Sequence, residues 1–313
     1  MGNKILVIGS LNMDLVGCTP RIPVVGETIV GHSYFSEPGG KGANQAYAAS
    51  RLGGDVAMVG RVGSDDFGRQ MRLNLEQVGC DTTRLLSIPD CVSGIALIFV
   101  ADEGQNSIVI VPGANDRFLP EDVRAERQYF PSAAVVLLQL ENPVESVLEA
   151  ARLGKDLGAM VILDPAPARD VPNEFFDVVD VWTPNETEAA ILCGRTPGRL
   201  DPGHASELAG KLRERGAKTV VIKLGDQGCL LVQSEGAKLL PASKVRAVDS
   251  TAAGDVFNAA LAVALSEGRD MVSACAFANL AAGVSVTKLG AQAAAPLRSE
   301  LSAQARDVEA PGA

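Results

Sequence analysis

A mostly parallel α/β sheet flanked by helices, with a small separate β-sheet beside it, is the fold class that this chain predicts. Three observations carry the prediction. Short β-branched runs alternate with stretches of helical character along most of the sequence. Those runs are apolar throughout instead of alternating with polar residues, as strands are when both faces of their sheet are covered. Two further stretches break the rhythm and read as a hairpin of their own. Repetition of strand, helix and strand is the pattern of parallel crossovers.

From the N-terminus, residues 5–8 form the first apolar run, and 16–18 and 28–35 are candidate strands of the small separate sheet. Residues 43–52 have helical character and follow the glycine cluster Pro38-Gly39-Gly40-Lys41-Gly42-Ala43-Asn44-Gln45. A strand at 56–59 leads to a helix at 67–78. Residues 94–100 and 107–111 flank Asp102-Glu103-Gly104-Gln105-Asn106, a turn-forming segment, and so predict the hairpin. Beyond it come strand 135–140, helix 143–157, strands 160–163 and 178–182, helices 187–192 and 206–215, and strand 219–224. Phe257, Leu261 and Leu265 recur every fourth position with Val256, Ala260 and Ala264 beside them, the stripe of a packed helix that starts near Ala253. Residues 272–284 are a last helical stretch. The expected organisation is one α/β domain over 1–302, with the small sheet drawn from about 15–36 and 93–112. The Ala/Pro-rich residues 303–313 are expected to form a disordered tail.

With 313 residues, 47% hydrophobic and 21% charged, the chain can bury a large core as one big or two modest domains. A formal net charge of −10 argues against nucleic acid as a partner. It also means that an anionic substrate must be held by local donors, since long-range attraction would not favour it. Cys18, Cys80, Cys91, Cys193, Cys229 and Cys275 are scattered without a CxxC pair and read as small core residues. No apolar run reaches the roughly 18 residues of a membrane helix, and Lys4 to Ile8 is too short and strand-like for a signal sequence. The expectation is a cytoplasmic protein with no membrane partner.

Chemistry enters with Val248-Asp249-Ser250-Thr251-Ala252-Ala253-Gly254-Asp255. The first N–H groups of a helix have no partner within it, and Ala252, Ala253 and Gly254 are small enough to let a phosphate reach them. Asp255 then stands beside an anion site, where a carboxylate is suited to take a proton from a hydroxyl attacking that phosphate. A first-turn acid that only favours the helix dipole is the other reading of these residues. The glycine cluster is not a phosphate-binding Walker loop, because Gly42 follows Lys41 where Ser or Thr is needed and no strong strand precedes it. Nor is it a dinucleotide fingerprint, since the third glycine is missing. Its role is to bring backbone N–H groups and Lys41 close to a ligand.

Together, these two clusters resemble the signatures of the ribokinase family of sugar kinases, also called the PfkB family. The resemblance runs from Ile5 to about Pro296 and includes Gly9-Ser10-Leu11-Asn12-Met13-Asp14, Gln139-Leu140-Glu141, Thr183-Pro184-Asn185-Glu186-Thr187-Glu188 and Leu224-Gly225-Asp226-Gln227-Gly228. It implies a ribokinase-like fold and ATP-dependent phosphorylation of a pentose, D-ribose, at its 5-hydroxyl. Asp255 would be the base, and Ala252, Ala253 and Gly254 would shape the anion hole. The sugar would be held by Asn12, Met13, Asp14, Gly40, Lys41, Gly42, Ala43, Asn44 and Glu141. Several of these lie where open α/β sheets place ligands, and their carboxylates, carboxamides and backbone groups suit a polyol. Read singly, Asn12 and Asp14 also fit local turn bonds, and Glu141 a solvated strand end.

The same resemblance assigns the nucleotide to Asn185, to Lys223, Leu224, Gly225, Asp226, Gln227 and Gly228, to Gly254, and to Asn279 at the adenine. Asn279 also fits a satisfied core amide, and acids near 186–188 fit dipole partners. Glu188 would hold Mg²⁺ through water, in keeping with an ion that retains its waters. K⁺ would sit among Asp249, Thr251, Ser285, Lys288 and Gly290. Asp249 as a mere brace of its loop is the alternative, and Ala294 stands where ribokinases often carry Ser. The small sheet, from about 15–36 and 93–112, would be a lid over the sugar that also pairs subunits as a homodimer. Two further departures bear on the substrate: Lys223 where ribokinases often have Thr, and Asp164-Pro165 where they often have Asn-Pro. Deoxyribose, fructose and adenosine are therefore the competing substrates, although Asn12 favours a sugar with a 2-hydroxyl. A non-catalytic sugar-responsive regulator has no need of Asp255 together with Ala253-Gly254 and Glu188.

Overall fold

A computed structural model describes residues 3–301 of the chain; the tail expected at 303–313 lies outside the described residues. In chain order the elements are β1 (Lys4–Ile8), β2 (Asn12–Thr19), β3 (Ser33–Gly39), α1 (Lys41–Arg51), β4 (Asp55–Gly63), α2 (Asp66–Gln77), β5 (Asp81–Ile88), β6 (Gly94–Ala101), β7 (Asn106–Val111), α3 (Pro120–Ala125), β8 (Ala133–Leu138), α4 (Val144–Asp156) and β9 (Met160–Leu163). There follow α5 (Glu174–Val178), β10 (Val181–Trp182), α6 (Glu186–Leu192), α7 (Pro202–Glu214), β11 (Thr219–Lys223), β12 (Cys229–Gln233), β13 (Gly236–Leu240), α8 (Ala253–Ser266) and α9 (Met271–Ser285).

Nine strands form one sheet in the order β13-β12-β11-β10-β9-β8-β1-β4-β5, parallel from β11 to β5 with an antiparallel hairpin at the β13 edge. The continuous apolar runs have a direct physical cause. Ile5 and Val7 of β1, Val135 and Leu137 of β8 and Val221 of β11 enter one core together with α1, α8 and α9 residues, whereas Leu6, Ile8, Val136, Leu138 and Ile222 enter a second core on the opposite face. Successive side chains point to opposite faces, so a strand covered on both must be apolar at every position.

The second sheet has four strands in the order β3-β2-β6-β7, with β2 and β6 parallel and the outer pairs antiparallel. It springs from the end of β1. All six residues of β7 are exposed, as are Tyr34, Phe35, Leu97 and Phe99.

Several expected bounds shift. The segment 28–35 is strand only from Ser33, and β3 continues to Gly39, so a strand does run straight into the glycine cluster. The run 178–182 contributes only Val181 and Trp182, because Val178 ends α5. Helix α7 starts four residues earlier than the expected 206, where Asp201 caps it by accepting from the Gly203 and His204 N–H groups and Pro202 takes the first position. Strands β5, β12 and β13 were not anticipated. All six cysteines are free, and among the described residues no helix is long and apolar enough to cross a membrane.

Candidate active site

Adjacent parallel strands end side by side, and their ends carry the site. Ser10 and Asn12 follow β1, Gln139 and Glu141 follow β8, Asp164 follows β9, Asn185 follows β10, and Lys223 closes β11. Ligands of open α/β sheets gather at these carboxyl ends. Helices α1 and α8 close over them, α1 beginning at the glycine cluster. Gly40 has φ 87, and a Cβ there would stand 2.6 Å from the Asn12 nitrogen; one on Gly42 would stand 2.6 Å from the carbonyl carbon of Gly9. Only glycine lets α1 start this close to the end of β1.

At the positions expected to meet a sugar, Glu141 Oε2 accepts from Ser10 Oγ, from the Lys41 N–H at 3.0 Å and from Asn12 Nδ2 at 3.4 Å. Asn115 fixes Asn12 by donating to its Oδ1 at 2.9 Å. Asp14 stands on β2 beside Gly39, whose bare backbone makes room for it: a Cβ there would lie 2.2 Å from Asp14 Oδ2. Burial, followed by Glu37, Glu141 and Asp255, pushes the Asp14 carboxyl up to about 7. Met13 is fully buried and Ala43 nearly so. Ala43 donates its N–H to the Ser10 carbonyl, which ties α1 to the β1 end. Asn44 Nδ2 donates to Asp255 Oδ2 at 3.0 Å, and Gln292 holds the Asn44 oxygen at 3.0 Å.

Asp255 lies in the first turn of α8, 5% exposed, and Gln45 Nε2 donates to its other oxygen at 2.9 Å. Burial raises its carboxyl above the usual range against the pull of nearby Lys41. Burial also disfavours the Lys41 ammonium, but Asp255, Asp164, Glu141 and Glu188 outweigh it and keep Lys41 above the ordinary lysine value. The turn ahead of α8 is unusual. Ala252 takes a left-handed conformation, φ 56 and ψ 12, and the Ala253 N–H bonds back to the Ser250 carbonyl at 3.2 Å. Among the described residues no acceptor takes the Gly254 and Asp255 N–H groups. The free donors therefore sit one residue further along than the expected pair of Ala253 and Gly254.

These donors border a cavity of about 390 Å³, walled also by Lys41, Asp164, Asn185, Glu188 and Lys223. Asn185 caps α6. Its Oδ1 accepts from the Glu188 N–H at 2.8 Å, and Glu188 accepts from the Asn185 N–H at 2.7 Å and from Nδ2 at 2.9 Å. Burial and Asp164 raise the Glu188 carboxyl, with Lys223 opposing. Both its oxygens are engaged, so the donor set suits Mg²⁺ held through water. Lys223 Nζ lies 2.8 Å from Asp164 Oδ1. Burial would lower the lysine, but Asp164 and Glu188 keep it charged.

After β11, Gly225–Gln227 form a tight turn closed by Leu224 N–H to the Gly228 carbonyl at 2.8 Å. Gly225 borders the cavity, Leu224 is buried, Asp226 pairs with Arg199, and Gln227 donates to the Leu200 carbonyl. Asn279 is buried on α9 and donates to the Leu240 carbonyl at 2.8 Å and to that of Pro241 at 3.4 Å. These bonds engage its amide donor.

Asp249 braces its loop. Oδ1 accepts from Thr251 N and Oγ1, and Oδ2 from the Gly290 N–H at 2.9 Å. These bonds hold its carboxyl below the usual value in spite of partial burial. The Ser285 carbonyl accepts from the Lys288 N–H at 3.0 Å, while the Lys288 ammonium turns to Glu300. Asp249, Thr251 and Gly290 are thus brought together.

Sequence reading assigns no role to Gln45, Gln139, Asp164 or Asn115. Gln139 had a signal, a buried polar residue directly after a mostly buried apolar strand, where a polar group needs a partner.

The family model of the pfkB family carbohydrate kinases matches residues 3–298. A ribokinase of Bacillus subtilis is 41% identical over 298 residues, covering 95% of this chain and 98% of its own, and one of Haemophilus influenzae is 39% identical over 300 residues, covering 96% and 97%. The structure of Arabidopsis thaliana ribokinase complexed with ribose and ATP superposes with a TM-score of 0.90 at 33% identity, covering 97% of this chain and 98% of that one. The fold, the match across nearly the whole chain and these relatives agree: the chain belongs to the pfkB family of carbohydrate kinases.

Proposed function

We propose that this protein transfers the terminal phosphoryl group of ATP to the 5-hydroxyl of D-ribose, giving D-ribose 5-phosphate. One observation carries the reading: a buried carboxylate, Asp255, held on both oxygens by Asn44 and Gln45, stands in the turn that offers the free Gly254 and Asp255 N–H groups. Asn12, Asp14, Lys41 and Glu141 receive the sugar under the four-stranded lid. Asp255 accepts the hydroxyl proton as its oxygen attacks the terminal phosphorus, and the two N–H groups take up charge on the transferred group. Mg²⁺, held through water by Glu188, would offset the charge of the phosphates. K⁺ near Asp249, Thr251, Ser285, Lys288 and Gly290 would steady the loop that presents those donors.

Asn185, Lys223, the 224–228 turn, Gly254 and, at the adenine, Asn279 receive the nucleotide in this reading. The bare apolar lid, with Tyr34, Phe35, Phe99 and β7 exposed, supports a homodimer through that sheet. The enzyme works in the cytoplasm, on small molecules alone. The test is a coupled assay of ADP release with ribose, 2-deoxyribose, fructose and adenosine. Ribose is expected to give the highest kcat/KM; a higher value for any other acceptor reassigns the substrate.

A further inference from the structure

Lys223 and Asp164 form an ion pair in the cavity wall, 2.8 Å apart, and the carboxylate is 1% exposed. A buried ion pair is a weak stabilising device, because desolvation offsets its attraction. A ligand gives it a purpose. A Cβ built on Gly254 would stand 3.4 Å from Lys223 Nζ, so the ammonium lies beside the turn that offers free N–H groups. An ammonium has three donors, and among the described residues only Asp164 accepts from this one. A transferred phosphoryl group carries three oxygens, more than the two free N–H groups of α8 satisfy.

The lysine's counter-ion is itself held. Gln45 Nε2 donates to Asp164 Oδ2 at 3.0 Å and to Asp255 Oδ1 at 2.9 Å, which uses both amide hydrogens. Gln139 donates to Gln45 Oε1 at 2.6 Å, so the carboxamide cannot turn over without losing bonds at both ends.

We propose that Lys223 contacts the phosphoryl group in transfer and stabilises its charge, with Asp164 and Gln45 as the positioning residues that aim it; this rests on the reading above that ATP is the donor. The experiment compares wild type with Lys223→Met and with the neutral pair K223M/D164N, which leaves no buried carboxylate stranded. Both variants are expected to lower kcat by about 10²-fold, the scale of losing one donor to a developing charge, with KM for the sugar within about twofold. In calorimetric titration, affinity for a non-hydrolysable ATP analogue should fall about tenfold while that for ADP holds, as loss of a contact to the terminal phosphate requires. Equal effects on ADP and the analogue, or a kcat within about threefold of wild type in the paired variant, overturn the proposal.

For the positioning role, Gln45→Met leaves Asp164 Oδ2 without its donor and should reproduce in weaker form the loss of affinity for the ATP analogue with that for ADP held; unchanged analogue affinity overturns that part. The two nucleotide titrations need no sugar. A failure of the ribose assignment therefore leaves them readable.

Discussion

Asn115 Nδ2 donates to Asn12 Oδ1 at 2.9 Å, which uses the Asn12 oxygen and turns its amide group toward Glu141. Asn115 is set in turn by two bonds to Leu11, accepting from its N–H and donating to its carbonyl, both at 3.0 Å. Asn12 therefore offers a donor of fixed direction. That is what a site needs if it is to tell a sugar with a hydroxyl from one without.

The first prediction follows from that geometry. Asn12→Leu leaves the sugar's 2-hydroxyl without its partner and is expected to cost about 1–3 kcal/mol in discrimination between ribose and 2-deoxyribose. Measured as the ratio of kcat/KM values for the two sugars, the preference should move toward 2-deoxyribose. An unchanged ratio would mean that Asn12 does not read that hydroxyl.

Asp255→Asn removes the base. Turnover should fall by roughly 10² or more in a folded variant. The amide cannot accept from both Asn44 and Gln45, so one of these donors loses its partner and a small drop in Tm should accompany the kinetic loss. In the wild type, burial raises this carboxyl, so kcat should climb with pH along a limb lying above the ordinary Asp value of 3.8. Near-normal turnover in Asp255→Asn at neutral pH would remove Asp255 from the reaction.

How much of this could be read in advance depends on the distance over which each feature is encoded. Helix α8 and its small-residue approach, the glycine start of α1 and the two-faced strands are local patterns, and each was legible from adjacent residues. The run 178–182 misled because Val178 and Val179 are apolar for a different reason, the packing of α5. Strand β13 is mostly exposed at the edge of the sheet, so nothing forces its residues into an apolar run. The contacts that join Gln45 to Asp164, and Asp164 to Lys223, span 119 and 59 residues. They arise from the order of β8, β9, β10 and β11 in the sheet. Lys223 and Asp164 each read singly as a departure from the family pattern, and only the fold reveals that they are one ion pair.

Asp14 gives a prediction of opposite sign for binding and stability. Its folded value is raised from 3.8 to about 7, so it favours the folded state most at acid pH, and that contribution fades as pH climbs from 3.8 through 7. Asp14→Asn removes the burden of an ionised carboxyl beside Glu37 and Glu141. The Tm of the variant relative to wild type should therefore rise between pH 5 and 8, while KM for the sugar worsens. Parallel melting curves across that range would show that the carboxyl is not under such strain.

The last prediction concerns a monovalent cation that never touches the substrate. Asp249 ties Thr251, just ahead of α8, to Gly290 in the turn after α9, and so joins the loop presenting the Gly254 and Asp255 donors to a second segment. Those hydrogen bonds alone make it a brace, and a brace predicts a rate that depends on Asp249 but not on which cation is present. A K⁺ ion among the Asp249 carboxylate and neighbouring carbonyls predicts more, because a preorganised anion site loses alignment when a poorly fitting cation replaces the proper one. Turnover measured in K⁺, Na⁺ and a bulky organic cation at constant ionic strength separates the two roles. A several-fold preference for K⁺ in the wild type that disappears in Asp249→Ala is the expected result. Equal rates in all three cations, with Asp249→Ala slower by the same factor in each, would leave Asp249 as a brace alone. Ala294 offers no side-chain oxygen to such an ion, so Ala294→Ser should lower the K⁺ concentration needed for half-maximal activation and leave the maximal rate unchanged.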